Sequence, residues 1–544
     1  MRAINSDGRK EIFMSTAGRY TRSAWAWGFA LALLASASGC KKDTENNTTT
    51  TTSTTTAPIR TALLPNENLP GVVIAITSVS GASGADGSFR SGDFIAVTFT
   101  VQTTAGTNVP ASELNSSSIY VSGPTYNYQR VIPSVSNWHT AAVQNSNNSY
   151  TYTFTTAIPT VYAAPYNDTA SFGSGDGELT GQTLLAGTYT IGLQAYKNYT
   201  VGATTFRDVA NVTEDFLFGG ATTLAPREVV KATNCNQCHV TLQAHGGSRR
   251  DPALCILCHT AGSEDKNVGS VAGGTPGVSV DFKVMIHKIH NGSHLPSVLG
   301  VTTAANGSRN YAATAAPYQI VGFGNSINDF SAVVFPVWPN FTVAMPRDQG
   351  YGTLTAGQQT LENTMRTGVT ACAKCHGDPD DTGPLTAPSQ GQVAYSQPTR
   401  AACGSCHDDV VWANDYVANG QTMAAQTDDS SCITCHTASG TSLSNEDAHI
   451  HPQENPTLNA GLNLVVTATT PSLGTTLDPG EKLGLTFTIK NDAGTDVQPS
   501  GLSINIAIAG PTHNRNILLY GVIPTASLGA VAASYTLNAP ERLA

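Results

Sequence analysis

The sequence predicts a mixed multidomain fold. An antiparallel β-sandwich or barrel comes first, then a loop-rich domain with short helices, then a second, incomplete β domain. Three observations predict it. β-branched and aromatic runs split by Gly/Ser/Asp-rich turns fill residues 70–222. From 227 to 455 long apolar periodic segments are lacking, and five copies of Cys-x-x-Cys-His stand in their place. From 462 to 544 the β character returns, and the residues echo the first domain.

The chain has 544 residues, enough for about three or four domains. Only 12% are charged, and the formal net charge is −10, which argues against a nucleic-acid partner. Residues 1–40 resemble a bacterial lipoprotein signal. Arg19 and Arg22 precede an apolar stretch from Ala24 to Ala35, and Ala37-Ser38-Gly39-Cys40 has the pattern of a lipobox. Cys40 is then the lipidation site, and Lys41 after it points to an anchor in the cell outer membrane. Residues 41–69 are expected to be a Thr-rich linker, with a run from Thr48 to Thr52 that cannot bury a core. No later stretch has the length and apolarity of a transmembrane helix.

In the first β domain, strands are expected at Val72 to Thr77, Phe94 to Val101, Tyr150 to Phe154 and Thr188 to Ala195. Its single histidine, His139, is expected in a loop or at the surface.

The central region carries the chemistry. Its motifs begin at Cys235, Cys255, Cys372, Cys403 and Cys432, and the second thiols are Cys238, Cys258, Cys375, Cys406 and Cys435. The histidines that close them are His239, His259, His376, His407 and His436. Each motif is the attachment signal of a c-type haem. Two thiols add across the porphyrin vinyl groups, and the adjacent imidazole becomes the proximal ligand of the iron. Zinc ribbons and redox Cys-x-x-Cys pairs do not require histidine at the next position, and here all five motifs have it. Of 11 cysteines the motifs use ten, and Cys40 is the other, so no thiol is left for an intrachain disulfide. Five porphyrins would supply the apolar core that side chains normally provide.

Of 13 histidines, five are proximal, and His139 and His513 lie in the β domains. His245, His287, His290, His294, His449 and His451 remain for five distal places. His245 precedes two glycines that let the backbone approach a porphyrin. His287 and His290 sit three apart on an expected short helix. His449 and His451 are two apart, so a local turn is needed to separate them. The expected distal set is His245, His287, His290, His449 and His451, with His294 spare. Double imidazole ligation implies low-spin iron of low potential without an open coordination site.

In the last domain Leu485 to Thr488 echoes Val97 to Thr100, and Ala493-Gly494-Thr495 echoes Ala105-Gly106-Thr107. Gly510-Pro511-Thr512 and Val522-Ile523-Pro524 echo Gly123-Pro124-Thr125 and Val131-Ile132-Pro133. No counterpart of the strand from Thr188 to Ala195 is found, so this domain reads as an unfinished repeat, expected of a truncated ten-haem architecture.

The first two motifs with His245-Gly246-Gly247 and Arg249 resemble the OmcA/MtrC family of outer-membrane decahaem cytochromes. So do Met285-Ile286-His287-Lys288-Ile289-His290-Asn291-Gly292, Asp329-Phe330-Ser331 and Phe335-Pro336. The resemblance implies lipid-anchored surface proteins with alternating β and pentahaem domains, and distal roles for His245, His287 and His290. It also implies partners: a porin–cytochrome conduit, other multihaem cytochromes, and extracellular acceptors such as metal oxides or flavins. The chain departs from the family in carrying five motifs rather than ten. The expected function is haem-to-haem electron transfer, with no catalytic residues assigned. The competing reading is a multihaem reductase like the pentahaem nitrite reductases, which typically have a Cys-x-x-Cys-Lys motif absent here.

Overall fold

The computed structural model describes residues 60–265, 277–322, 326–335, 349–367, 372–377, 387–418, 420–441, 443–449, 460–471, 475–476, 478–528 and 535–538. Cys40 and His451 lie outside the described residues.

The first domain contains β1 (Ala62–Leu63), β2 (Val73–Ser80), β3 (Ala96–Gln102), β4 (Ser116–Gly123), β5 (Gln129–Ser136), β6 (Val143–Gln144), β7 (Tyr150–Thr153), β8 (Gly187–Val201) and β9 (Thr204–Phe218). One sheet runs β2-β3-β7-β6; the other runs β1-β8-β4-β5, with β9 on the free side of β8. Alternation along β3 turns Val97, Phe99 and Val101 inward. They meet Ile119 and Val121 of β4, Ile191 and Leu193 of β8, and Phe216 and Phe218 of β9 in one core. Trp138 is fully buried there, edge-on to Phe99 at 4.7 Å between ring centroids.

Three sequence expectations change. The sheet begins before residue 70, inside the expected linker: Ala62–Leu63 pairs parallel with Thr200–Val201, and Leu63 is buried. The last hairpin runs well past Ala195, because β8 and β9 pair along their full lengths. His139 is buried, not at the surface; its Nδ1 is 2.7 Å from Ser117 Oγ, and burial lowers its pKa.

Helices in the central region are short: α1 (Ala232–Cys235), α2 (Pro252–Cys255), α3 (Phe282–Asn291), α4 (Ala356–Met365), α5 (Ala373–His376), α6 (Val393–Ser396), α7 (Arg400–Cys403) and α8 (Cys432–Cys435). Four carry side-chain N-caps, from Asp251 on α2, Asp281 on α3, Thr355 on α4 and Thr399 on α7. The Asp281 carboxylate accepts the Lys283 amide at the start of α3, and Thr355 with Gln358 forms a capping box on α4. Small antiparallel hairpins lie between them: β10 (Thr302–Thr303) with β11 (Arg309–Asn310), β12 (Gln319–Val321) with β13 (Ile327–Asp329), and β14 (Tyr416–Ala418) with β15 (Gln421–Met423).

The last domain contains β16 (Asn463–Pro471), β17 (Leu483–Lys490), β18 (Ile504–Gly510), β19 (Asn516–Ile523) and β20 (Tyr535–Asn538). Its pairing follows the first domain: β16-β17-β20 matches β2-β3-β7, and β18-β19 matches β4-β5. Phe487 is the register partner of Tyr535, as Phe99 is of Tyr150. Register shifts at Thr77 and Thr467 put each hydroxyl 3.1 Å from the carbonyl of its partner strand, at Thr98 and Thr486. In the first domain β9 also packs across β2. Among the described residues the second domain has no strand in that place, so Leu464 is 45% exposed where Ile74 is 5%. No helix among the described residues is long and apolar enough to cross a membrane.

Candidate haem-binding site

Each motif is one closed helical turn. The amide of the final histidine donates to the carbonyl of the first cysteine: His239 to Cys235 at 3.0 Å, His259 to Cys255 at 3.0 Å, His376 to Cys372 at 3.0 Å, His407 to Cys403 at 2.9 Å and His436 to Cys432 at 2.9 Å. At 3.6 residues per turn, positions i, i+3 and i+4 share one face, so both thiols and the imidazole gather on one side of the turn.

Four of these histidines face a second histidine. Ring centroids are 6.2 Å apart for His239 and His290, 5.8 Å for His259 and His245, 6.2 Å for His376 and His287, and 6.4 Å for His407 and His449. Two imidazoles sharing one metal, with metal–nitrogen bonds of about 2 Å, place their centroids about 6 Å apart. The gaps therefore fit an iron between each pair. Helix α3 serves two of the motifs, since His287 faces His376 and His290 faces His239. The fifth motif histidine, His436, has its Nδ1 3.0 Å from the Leu443 carbonyl.

Burial and second contacts prepare these rings. Burial, then His259 and Arg249, lowers the pKa of His245 to about 4. Burial, then His376 and His290, does the same for His287, and burial with His449 brings His407 to about 4. Neutral imidazole is the form that binds a metal. Nδ1 is turned to a backbone carbonyl in His259 (Val280, 2.8 Å), His290 (Ile286, 2.8 Å), His376 (Val229, 3.2 Å) and His449 (Asn445, 2.6 Å). A protonated Nδ1 leaves the Nε2 lone pair free for a metal. His294 is not with the four pairs, yet its Nδ1 is held in the same way, 2.7 Å from the Thr364 carbonyl.

The motifs follow one another in space. Burial, then Cys235, pushes the Cys375 thiol up to about 11, and burial, then Cys432, does so for Cys403. Cys406 and Cys255 are pushed up to about 12, mainly by burial; smaller contributions come from Cys372 and Cys235 respectively. The Asn234 amide donates to the Cys375 carbonyl at 2.9 Å, tying α1 to α5. Neighbouring motifs thus begin at Cys432, Cys403, Cys372, Cys235 and Cys255, in that order.

The second motif is also docked on the β domain. Ser122 Oγ donates to the Leu257 carbonyl at 2.6 Å, and Leu254 and Leu257 pack with Tyr120. A Cβ on Gly192 of β8 would lie 2.5 Å from a Leu257 methyl and 2.7 Å from a Leu254 methyl, so a larger residue there would require both leucine side chains to shift. The glycines after His245 meet a backbone demand as well, since His245, Gly246 and Gly247 all have positive φ.

Several contributors carried no sequence signal of their role. Lys288, between the two histidines of α3, pairs with Asp408 at 2.5 Å, and Asp408 also accepts the Ser297 amide at 2.9 Å. Phe335 packs edge-on to His290 at 5.8 Å. Ser405 lies 3.1 Å from His287 Nδ1. Lys288 and Phe335 stood in the stretches that carry the family resemblance, which gave them no role, and Asp408 had no such mark.

Residues 227–450 match the family described as outer membrane cytochrome MtrC/MtrF-like, domains II/IV. No curated protein matches the sequence. Among solved structures, the outer membrane decaheme cytochrome OmcA is 15% identical with a TM-score of 0.46, over 88% of this chain and 64% of that one. MtrC from Shewanella baltica OS185 is 18% identical with a TM-score of 0.44, over 86% of this chain and 62% of that one. The chain spans less than two thirds of the length of either. The matched segment holds all five motifs and the paired histidines, and over that segment the chain is similar to domains II/IV of MtrC/MtrF-like outer membrane cytochromes.

Proposed function

We propose that this chain is a multihaem c-type cytochrome that carries electrons at the outer membrane towards acceptors outside the cell, with metal oxides, flavins and partner cytochromes as the candidate classes. The observation that carries this reading is the set of four histidine pairs at 5.8–6.4 Å, each ending a Cys-x-x-Cys-His turn.

The ten motif cysteines would hold five haems. Their axial ligands would be His239 with His290, His259 with His245, His376 with His287, His407 with His449, and His436 with His451. Haem bound in this way supplies reversible one-electron chemistry at its iron. The chain contributes neutral, buried imidazoles held by their Nδ1 contacts, and a sequence of adjoining motifs from Cys432 to Cys255. Acylated Cys40 would anchor the protein in the outer membrane, beside a porin–cytochrome conduit.

Mass spectrometry of protein matured with c-haem machinery should show five haem additions, and ferric electron paramagnetic resonance should show low-spin signals alone. Fewer additions, or a high-spin haem in the unmodified protein, would overturn the ligand assignment.

A further inference from the structure

In the haem region, six histidines among the described residues turn Nδ1 to a backbone carbonyl: His259, His290, His294, His376, His436 and His449. His287 differs. Its Nδ1 is 3.1 Å from the hydroxyl of Ser405, which is fully buried. Ser405 is an intervening residue of the motif Cys403-Gly404-Ser405-Cys406-His407, whereas His287 faces His376 of another motif.

The direction of this hydrogen bond follows from its neighbour. Ser405 Oγ donates its own proton to the Ala402 carbonyl in the turn of α7. With that proton committed, the hydroxyl faces the ring as an acceptor, and the proton between them belongs to His287 Nδ1. Nε2 is left unprotonated towards His376. A hydroxyl that donates elsewhere polarises as an acceptor, which strengthens the bond it receives.

We propose that Ser405 is a positioning residue for the neighbouring motif: it holds His287 in the tautomer and orientation that binds the haem of Cys372–His376, and it makes the potential of that haem depend on the loop carrying the next one. This rests on the assignment of His287 and His376 as an axial pair. An acceptor on Nδ1 raises the basicity of a ligand imidazole and favours the oxidised metal. Loss of the hydroxyl therefore favours reduction. Orienting partners of this kind change metal-site properties by about tenfold or more.

The test is spectroelectrochemical titration of the full haem-loaded protein, with spin state followed in parallel. Ser405→Ala should raise one of the five midpoints by about tenfold in the oxidised-to-reduced equilibrium, about 59 mV for one electron. The spectrum should remain low-spin, and Ser405→Thr should restore the original midpoint. Where the alanine protein accumulates poorly, Ser405→Gly removes the same hydroxyl and should give the same rise. His287→Ala tests the underlying assignment separately and should produce one high-spin haem. If it does so while the Ser405 variants leave all midpoints unmoved, the positioning role is wrong. If His287→Ala produces no high-spin haem, the ligand assignment beneath it fails.

Discussion

Arg309 on β11 is the charge whose removal should cost the central domain most. Its Nη1 is 2.5 Å from Glu362 Oε1 and its Nε is 2.9 Å from Asp409 Oδ2. The carboxylate side chains are 1% and 0% exposed, so water cannot replace a lost partner. Breaking a buried ion pair from one side costs about 3–5 kcal/mol. Arg309→Met belongs near the lower end, because Glu362 keeps Arg366 at 3.3 Å and the Tyr311 hydroxyl at 2.7 Å, and Asp409 keeps the Tyr416 hydroxyl at 2.7 Å. With a urea dependence of about 1–3 kcal/mol per molar, the midpoint should fall by about 1 M or more. Urea unfolding of the haem-loaded protein, followed by visible circular dichroism, measures it. The variant Arg309→Met with Glu362→Gln and Asp409→Asn should recover part of the loss, since it removes the unpaired buried charges while leaving acceptors for Arg366, Tyr311 and Tyr416. An unchanged midpoint for Arg309→Met alone would refute the reasoning. The same network gives a pH dependence. Burial pushes the Glu362 carboxyl up, but Arg309 and Tyr311 outweigh it and hold the pKa below its ordinary value. A depressed folded pKa contributes stability above the unfolded value, near about 4.3, and that contribution is lost as pH falls through the folded value. The native protein should lose it on acidification, and Arg309→Met should have little of it left to lose.

Further expectations can be checked directly. His451→Ala should convert one haem to high-spin, whereas His294→Ala should leave the spectrum unchanged; the reverse result would move the fifth ligand to His294. Gly192→Ala should cost about 1–3 kcal/mol by forcing Leu254 and Leu257 off β8; an unaltered urea midpoint would show that both side chains move aside freely. Cys40→Ala should release the protein from the membrane fraction with its haem content intact, and retention there would place the anchor elsewhere.

What the sequence determined by itself is local. A Cys-x-x-Cys-His motif closes within one helical turn, so its geometry follows from residues five positions long, as the matching His-to-Cys hydrogen bonds show. The β character of both flanking domains was equally legible, because strand alternation and turn residues act over short distances. The repeat was visible for the same reason, down to the strand holding Phe99 and Phe487. Long-range packing decided the rest. His139 was misplaced because its partner Ser117 lies on β4, distant in the chain, and nothing beside His139 reveals that contact. The linker boundary was set too late because Ala62–Leu63 becomes a strand only by pairing with the far end of β8. Which histidine faces which motif also depended on tertiary contacts. His245 reaches His259 within one local loop, but His287 meets His376 far along the chain, and Lys288 of the same helix pairs with Asp408 beside yet another motif. The histidine count bounded the ligand supply; the pairing came from side chains that are distant in the chain and become neighbours only when their charges and apolar surfaces are buried together.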